Sequence, residues 1–358
     1  MITYFLVFAL PVLGLFAPFR LQKRPRDIVM AVFCLVITIF VGLRYQVGGD
    51  WSNYLEHFRR IADEGLRTAL THRSIGYGLV NWAVAKISGQ VYLVNLICAC
   101  IFTIGLWSFC RRQPLELLGW VIAFPYLVVV VAMGYTAQSV ALGFGLLAFT
   151  ALDEKKPVSA GLLIGVAIGF HVSAVVLAPL LLMAFKWKVP RSIRSLSAKT
   201  IVLLGLGGVA LMILIWVVFR NEMQLALDRY VFRGQWESQG AYFRVAINFV
   251  PGLLLLVFGR KIAGQYPLGA YWYLLSLACV LSPLGLVFSS TLVDRLSIYL
   301  TAVQVVAWTR VPMFCTEQRA RAALIFGVVF AYTCSLWVWL AFANHKDDWV
   351  PYESILFR

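Results

Sequence analysis

Long apolar stretches separated by short charged breaks run through most of the chain, and their lengths predict membrane-spanning helices. Continuous spans are predicted at Ile2 to Phe19, Ile28 to Leu43, Val91 to Cys110, Leu115 to Met133, Gln138 to Leu152, Thr200 to Phe219, Val245 to Phe258, Leu268 to Phe288, Ser297 to Trp308 and Ala323 to Ala343. Between Val158 and Phe185 an apolar run of 28 residues is too long for one straight span and too short for two. A pair of short helices meeting at His171 fits that run, because broken helix at membrane depth is tolerated where protein or a water-filled cavity covers it. The expected fold is all-α, a polytopic transmembrane helical bundle of about ten full spans plus the short-helix pair. Residues 1–358 are expected to form a single integral membrane domain.

One stretch breaks the pattern. Trp51, Tyr54, Leu55, Phe58, Ile61 and Ala62 recur at helical spacing, while Ser52, Asn53, Glu56, His57, Arg59, Arg60, Asp63 and Glu64 fill the other face. This predicts an amphipathic helix lying on the membrane. Gly48 and Gly49 before it permit a sharp turn out of the preceding span. Asp50 then has two readings: it caps the helix by accepting from the backbone near Asn53, or it serves a site at the membrane edge.

Composition narrows the class. With 61% hydrophobic residues, 13% charged residues and a mean hydropathy of +0.83, a water-soluble domain is excluded. Charge then sets orientation, since Lys and Arg mark cytoplasmic loops. The breaks at Arg20 to Asp27, Arg111 to Arg112, Asp153 to Lys156, Lys186 to Lys199, Arg260 to Lys261 and Arg310 to Arg321 hold 18 of the 31 Lys and Arg but, with Glu116, only 5 of the 16 acids. Those breaks are assigned to the cytoplasm, which puts both termini outside and points His171 outward. Two exterior loops result, residues 44–90 with the amphipathic helix and residues 220–244. None of the seven cysteines falls in either loop, and no CxxC, HExxH or His-rich spacing occurs. Neither a metal nor another cofactor is expected, and no nucleic-acid partner.

The segment Leu43-Arg44-Tyr45-x-Val47-Gly48-x-Asp50-x3-Tyr54-x3-Phe58 resembles the signature of the EpsG family, the Wzy-like membrane polymerases of bacterial exopolysaccharide and surface-antigen repeat units. Further matches follow in the family's order: Gln138 within Tyr135-Thr136-Ala137-Gln138-Ser139, His171-x-Ser173-Ala174, and Asp294-Arg295-Leu296-Ser297-Ile298-Tyr299. The family usually carries arginine before the glutamine, where this chain has Ala137.

The resemblance implies a GT-C-like bundle in the bacterial inner membrane with its active site facing the periplasm. It also implies a substrate, a glycan linked through diphosphate to a polyprenyl lipid, which is transferred to a hydroxyl of an incoming repeat unit. Membrane lipids, a chain-length regulator and export proteins are the implied partners. Displacement at an anomeric carbon needs cations for the departing diphosphate and a base for the acceptor hydroxyl.

Arg44 and Arg295, at predicted exterior membrane edges, are the leading cations, with Arg229, Arg233 and Arg244 in the second loop behind them. Snorkelling to headgroups is the alternative for each. His171 and Asp50 compete as base; histidine titrates near neutrality and ranks first. Ser173 is placed to help fix its ring. Tyr54, Gln138, Ser139, Asp294 and Tyr299 are candidate substrate contacts. Two other classes fit the same pattern. A metal-dependent glycosyltransferase using a polyprenyl monophosphate sugar would pair Asp50 with Asp294. A polysaccharide or lipid-carrier transporter would show repeated broken helices, which are not found.

Overall fold

The computed structural model describes residues 1–18, 22–184, 240–287 and 290–358. The predicted span Thr200 to Phe219, most of the second exterior loop, and the candidates Arg229 and Arg233 lie outside the described residues. Within them the chain is helical and holds no strand, only an isolated antiparallel bridge between Arg44 and Ser354. Among the described residues, five helices are long and apolar enough to cross a membrane: Lys23–Gly42 (α2), Val91–Cys110 (α6), Thr136–Asp153 (α8), Ala241–Ala263 (α11) and Gln318–Phe342 (α14). Shorter apolar helices include Ile2–Leu15 (α1), Pro157–Phe170 (α9) and Ala270–Gly285 (α12). Glu116–Ala123 (α7) continues as a nine-residue π-helix, Phe124–Ala132, in which every residue is buried. Ser290–Arg310 (α13) is a further long helix.

The chain forms two compact units. The first comprises Met1–Thr150, Gly165–Val172 and Trp308–Arg358; the second comprises Ala151–Ile164 and Ser173–Ala307.

In the first unit α2 lies along α6, and α1 packs on α7. Lipid-type surface remains on the outer faces: Ile2, Leu6, Leu10 and Leu13 form one exposed stripe on α1, and Ile28, Val32 and Leu35 another on α2. Close helix approach in a lipid setting relies on small residues. A Cβ on Gly105 of α6 would sit 2.3 Å from the Gly143 carbonyl oxygen of α8, so those two backbones touch. The 44–90 region is more than one surface helix. Trp51–Glu64 (α3), Leu66–Leu70 (α4) and Ile75–Lys86 (α5) fold against one another, with α4 and α5 turned back onto α3.

The second unit is built on the α11–α12 hairpin and on α13. Asn248 donates to the Ser297 carbonyl (3.4 Å) and accepts from Gln304 (2.6 Å), a polar seam inside an apolar setting. Tyr271 and Trp272 donate to the Asp153 carboxylate at 2.7 and 3.1 Å.

The run around His171 breaks as its length requires. α9 stops at Phe170, a 3-10 turn spans Val172–Leu177, and Pro179–Ala184 (α10) follows.

Candidate functional site

In the first unit, one stripe of α3 lines a cavity of about 430 Å³. Asp50, Asn53, Tyr54, His57, Arg60 and Ile61 occupy it at the spacing of a single helix face. The stripe runs along the boundary between the apolar and polar faces of α3, because α4 and α5 fold back over that edge. Thr68 and Thr71 of α4 face the same space, as do His72, Arg73 and Ser74 of the connection and Tyr77 of α5. Ala137 at the start of α8 and His171 complete the lining.

His171 arrives there through a fixed break. Its backbone N–H closes the last turn of α9 on Ala167 (2.9 Å). The preceding Phe170 ring packs on Gly76, where a Cβ would lie 2.8 Å from it, and meets Phe144 at 5.8 Å. Asp50 heads α3 without capping it by its side chain. Its carboxylate instead accepts from the Asn53 amide at 3.3 Å, on the cavity side. Burial together with the nearby Asp50 charge holds the Tyr54 phenol well above its ordinary pKa, hence protonated.

A histidine pair makes another wall. The His57 and His72 rings meet edge to face at 5.0 Å, and His72 lies 6.1 Å from Tyr77. His72 Nδ1 lies 3.0 Å from the Ser74 nitrogen and 3.1 Å from the Ser74 carbonyl oxygen, so the Ser74 backbone holds the ring in either tautomer. Burial lowers the His72 pKa below 6.5, so its ring is neutral at physiological pH.

Arg44 is not at this surface. It is 1% exposed, and three of its nitrogens donate to protein: Nε to Val47 O at 3.0 Å, one terminal nitrogen to Val41 O at 2.6 Å, the other to Thr136 Oγ1 at 2.8 Å. Trp51 lies 5.9 Å from the guanidinium. Arg44 thus ties the end of α2 and the loop before α3 to the start of α8, the opposite of a cation reaching toward headgroups. Gln138 and Ser139 are also buried, at 4% and 1%, with the Ser139 hydroxyl donating to the Thr136 carbonyl (2.7 Å). The residue of that turn lining the cavity is Ala137.

The remaining candidates belong to the second unit. Arg244 and Asp294 form an ion pair with each other. The Ser173 and Tyr299 hydroxyls share a hydrogen bond at 3.2 Å, and Tyr299 is fully buried, which leaves no ring face for a sugar to stack on. Arg295 is half-buried near the start of α13.

Of the residues singled out from sequence, the cavity therefore gathers His171, Asp50 and Tyr54. Those missed are His57, Arg60, His72, Arg73 and Tyr77. Their signal was the polar triplet His72-Arg73-Ser74 between two helical runs, which makes sense as part of a site only once α5 is known to fold onto α3. Among the described residues no group of three His, Cys, Asp or Glu side chains is arranged to hold a metal ion.

Membrane-length apolar helices define an integral membrane protein. The chain matches the EpsG family over residues 27–354 and belongs to it, a family of polysaccharide polymerase-like membrane proteins. No curated protein and no solved structure matches the chain.

Proposed function

We propose that this protein polymerises lipid-linked oligosaccharide repeat units at the periplasmic face, transferring the growing glycan from polyprenyl diphosphate to an acceptor sugar hydroxyl. The observation that carries this reading is the cavity that brings His171 together with Asp50 and Tyr54 of α3 from two separate stretches of sequence. Its lining is polar and aromatic apart from Ile61 and Ala137, which suits sugar and phosphate oxygens and not a polyprenyl tail.

In the proposed step the acceptor oxygen attacks the anomeric carbon of the growing chain. Its bond to that carbon forms as the bond to diphosphate breaks, and polyprenyl diphosphate leaves with the bonding electrons. His171 takes the hydroxyl proton, Asp50 balances the resulting imidazolium, and the Tyr54 phenol donates to a substrate oxygen. Arg60 and Arg73 on the cavity wall take over the anion-stabilising role that the sequence assigned to Arg44. The metal-dependent alternative pairs Asp50 with Asp294, whose carboxylate is engaged by Arg244.

The test uses purified protein with lipid-linked repeat units. His171→Gln keeps hydrogen bonding and removes the base, so turnover is expected to fall by about a hundredfold or more while lipid-linked substrate still binds. Wild-type activity is expected to fall as pH drops through the histidine range and to survive EDTA. Full turnover in His171→Gln with an unchanged pH profile makes the histidine structural and moves the base to Asp50. Loss of activity with EDTA moves the reading to the metal-dependent class.

A further inference from the structure

The last residues of the chain form a strap over the turns that launch α3 and α8. Tyr352 donates to the Phe40 carbonyl (2.8 Å), Ser354 Oγ to the Leu43 carbonyl (2.9 Å), and Tyr45 N–H to the Glu353 carbonyl (2.9 Å). At the centre of the strap is Trp349, 2% exposed. Its indole N–H donates to the Val129 carbonyl of the π-helix at 2.8 Å, and its own carbonyl accepts from Tyr4 at 2.6 Å.

The ring lies against two glycines. A Cβ on Gly134 would stand 2.8 Å from the Trp349 ring, and one on Gly49 would stand 3.8 Å from it. Next to it, the Asp348 carbonyl accepts from Gly48 N–H at 2.7 Å. Gly49 precedes Asp50, and Gly134 lies two residues before the first residue of α8, so one side chain touches both turns that deliver cavity-lining residues.

We propose that Trp349 is a positioning residue of the cavity, setting where the starts of α3 and α8 stand relative to each other. It carries no chemistry itself. Its effect is on the placement of Asp50 and Tyr54 against Ala137 and, through them, on turnover; that last link rests on the polymerase reading above. Misplacement of reacting groups by about 1 Å can cost about a hundredfold in rate.

Trp349→Phe keeps an aromatic ring in the slot and removes the N–H to Val129. Gly134→Ala presses on the ring at Cζ2 with the N–H intact. Hydrogen–deuterium exchange on the full-length protein is expected to speed up for both variants at residues 48–54 and 134–140, with the thermal midpoint lowered but the protein still folded. Turnover per folded molecule is expected to fall tenfold to a hundredfold. Combining the two substitutions gives the added methyl room beside the smaller ring, so the double variant is expected to exceed Gly134→Ala in turnover. Unchanged exchange in both segments overturns the proposal whatever the turnover. Faster exchange with wild-type turnover overturns the link to the site. If the wild-type protein shows no polymerisation, the functional reading fails and the exchange measurement alone decides the positioning role.

Discussion

Arg44 and His171 were both legible in the sequence as polar residues too costly at membrane depth to be accidental, yet the cost is met differently in each. His171 sits where a helix ends and a cavity begins. Arg44 is enclosed, with its donors spent on Val41, Val47 and Thr136. The sequence marked an expensive arginine without indicating whether substrate or protein would satisfy it, since its partner Thr136 is 92 positions away. A buried planar fork with three divergent acceptors is poorly replaced by an ammonium group. Arg44→Lys is therefore expected to reduce folded, monodisperse protein, since each buried acceptor left unpaired costs about 1–3 kcal/mol. Size-exclusion yield and thermal midpoint measure this. Wild-type yield with lost turnover would restore Arg44 to the substrate.

Helix type was readable from apolar run length alone, and helix partnering was not. The periodicity of α3 separated an apolar from a polar face correctly, but membrane and water were the only surroundings it offered for them. That α4 and α5 exist and fold back is written in a short polar connection with little periodic signal, so the cavity stayed hidden. The π-helix was equally invisible, because Phe124–Ala132 is uniformly apolar and any helical winding satisfies its pattern. The glycine turn before α3 was readable because its geometry is local. Gly48 adopts a φ of 105°, and a Cβ there would fall 2.2 Å from the Met133 carbonyl oxygen. Gly48→Ala is expected to lose both the turn and the docking on Met133, costing about 2 kcal/mol or more from backbone strain and overlap. Gly49→Ala is the matched control: its Cβ would stand 3.4 Å from the Asp348 carboxylate, an ordinary contact, so stability is expected to stay near wild type. Equal midpoints for the two variants would refute this account of the turn.

The orientation of the chain decides what the cavity can meet. A site that opens to the periplasm receives substrates already carried across the membrane, whereas one that opens to the cytoplasm would meet sugars on soluble carriers. The charge distribution favours the first. Lys155 and Lys156 follow α8 at the end remote from Ala137, and Arg111 and Arg112 follow α6, whereas the cavity mixes Arg60 and Arg73 with Asp50 and neighbouring acids such as Glu56, Asp63 and Glu64. Short basic loops resist translocation, so the Lys155-Lys156 and Arg111-Arg112 ends are expected inside and the segment at the opposite ends of those helices outside. Alkaline phosphatase fused after Gly65 is expected to be active in cells, and the same reporter fused after Lys156 inactive. The reverse pattern would turn the cavity toward the cytoplasm, remove a translocated lipid diphosphate as its substrate, and leave His171 and Asp50 facing a different class of donor.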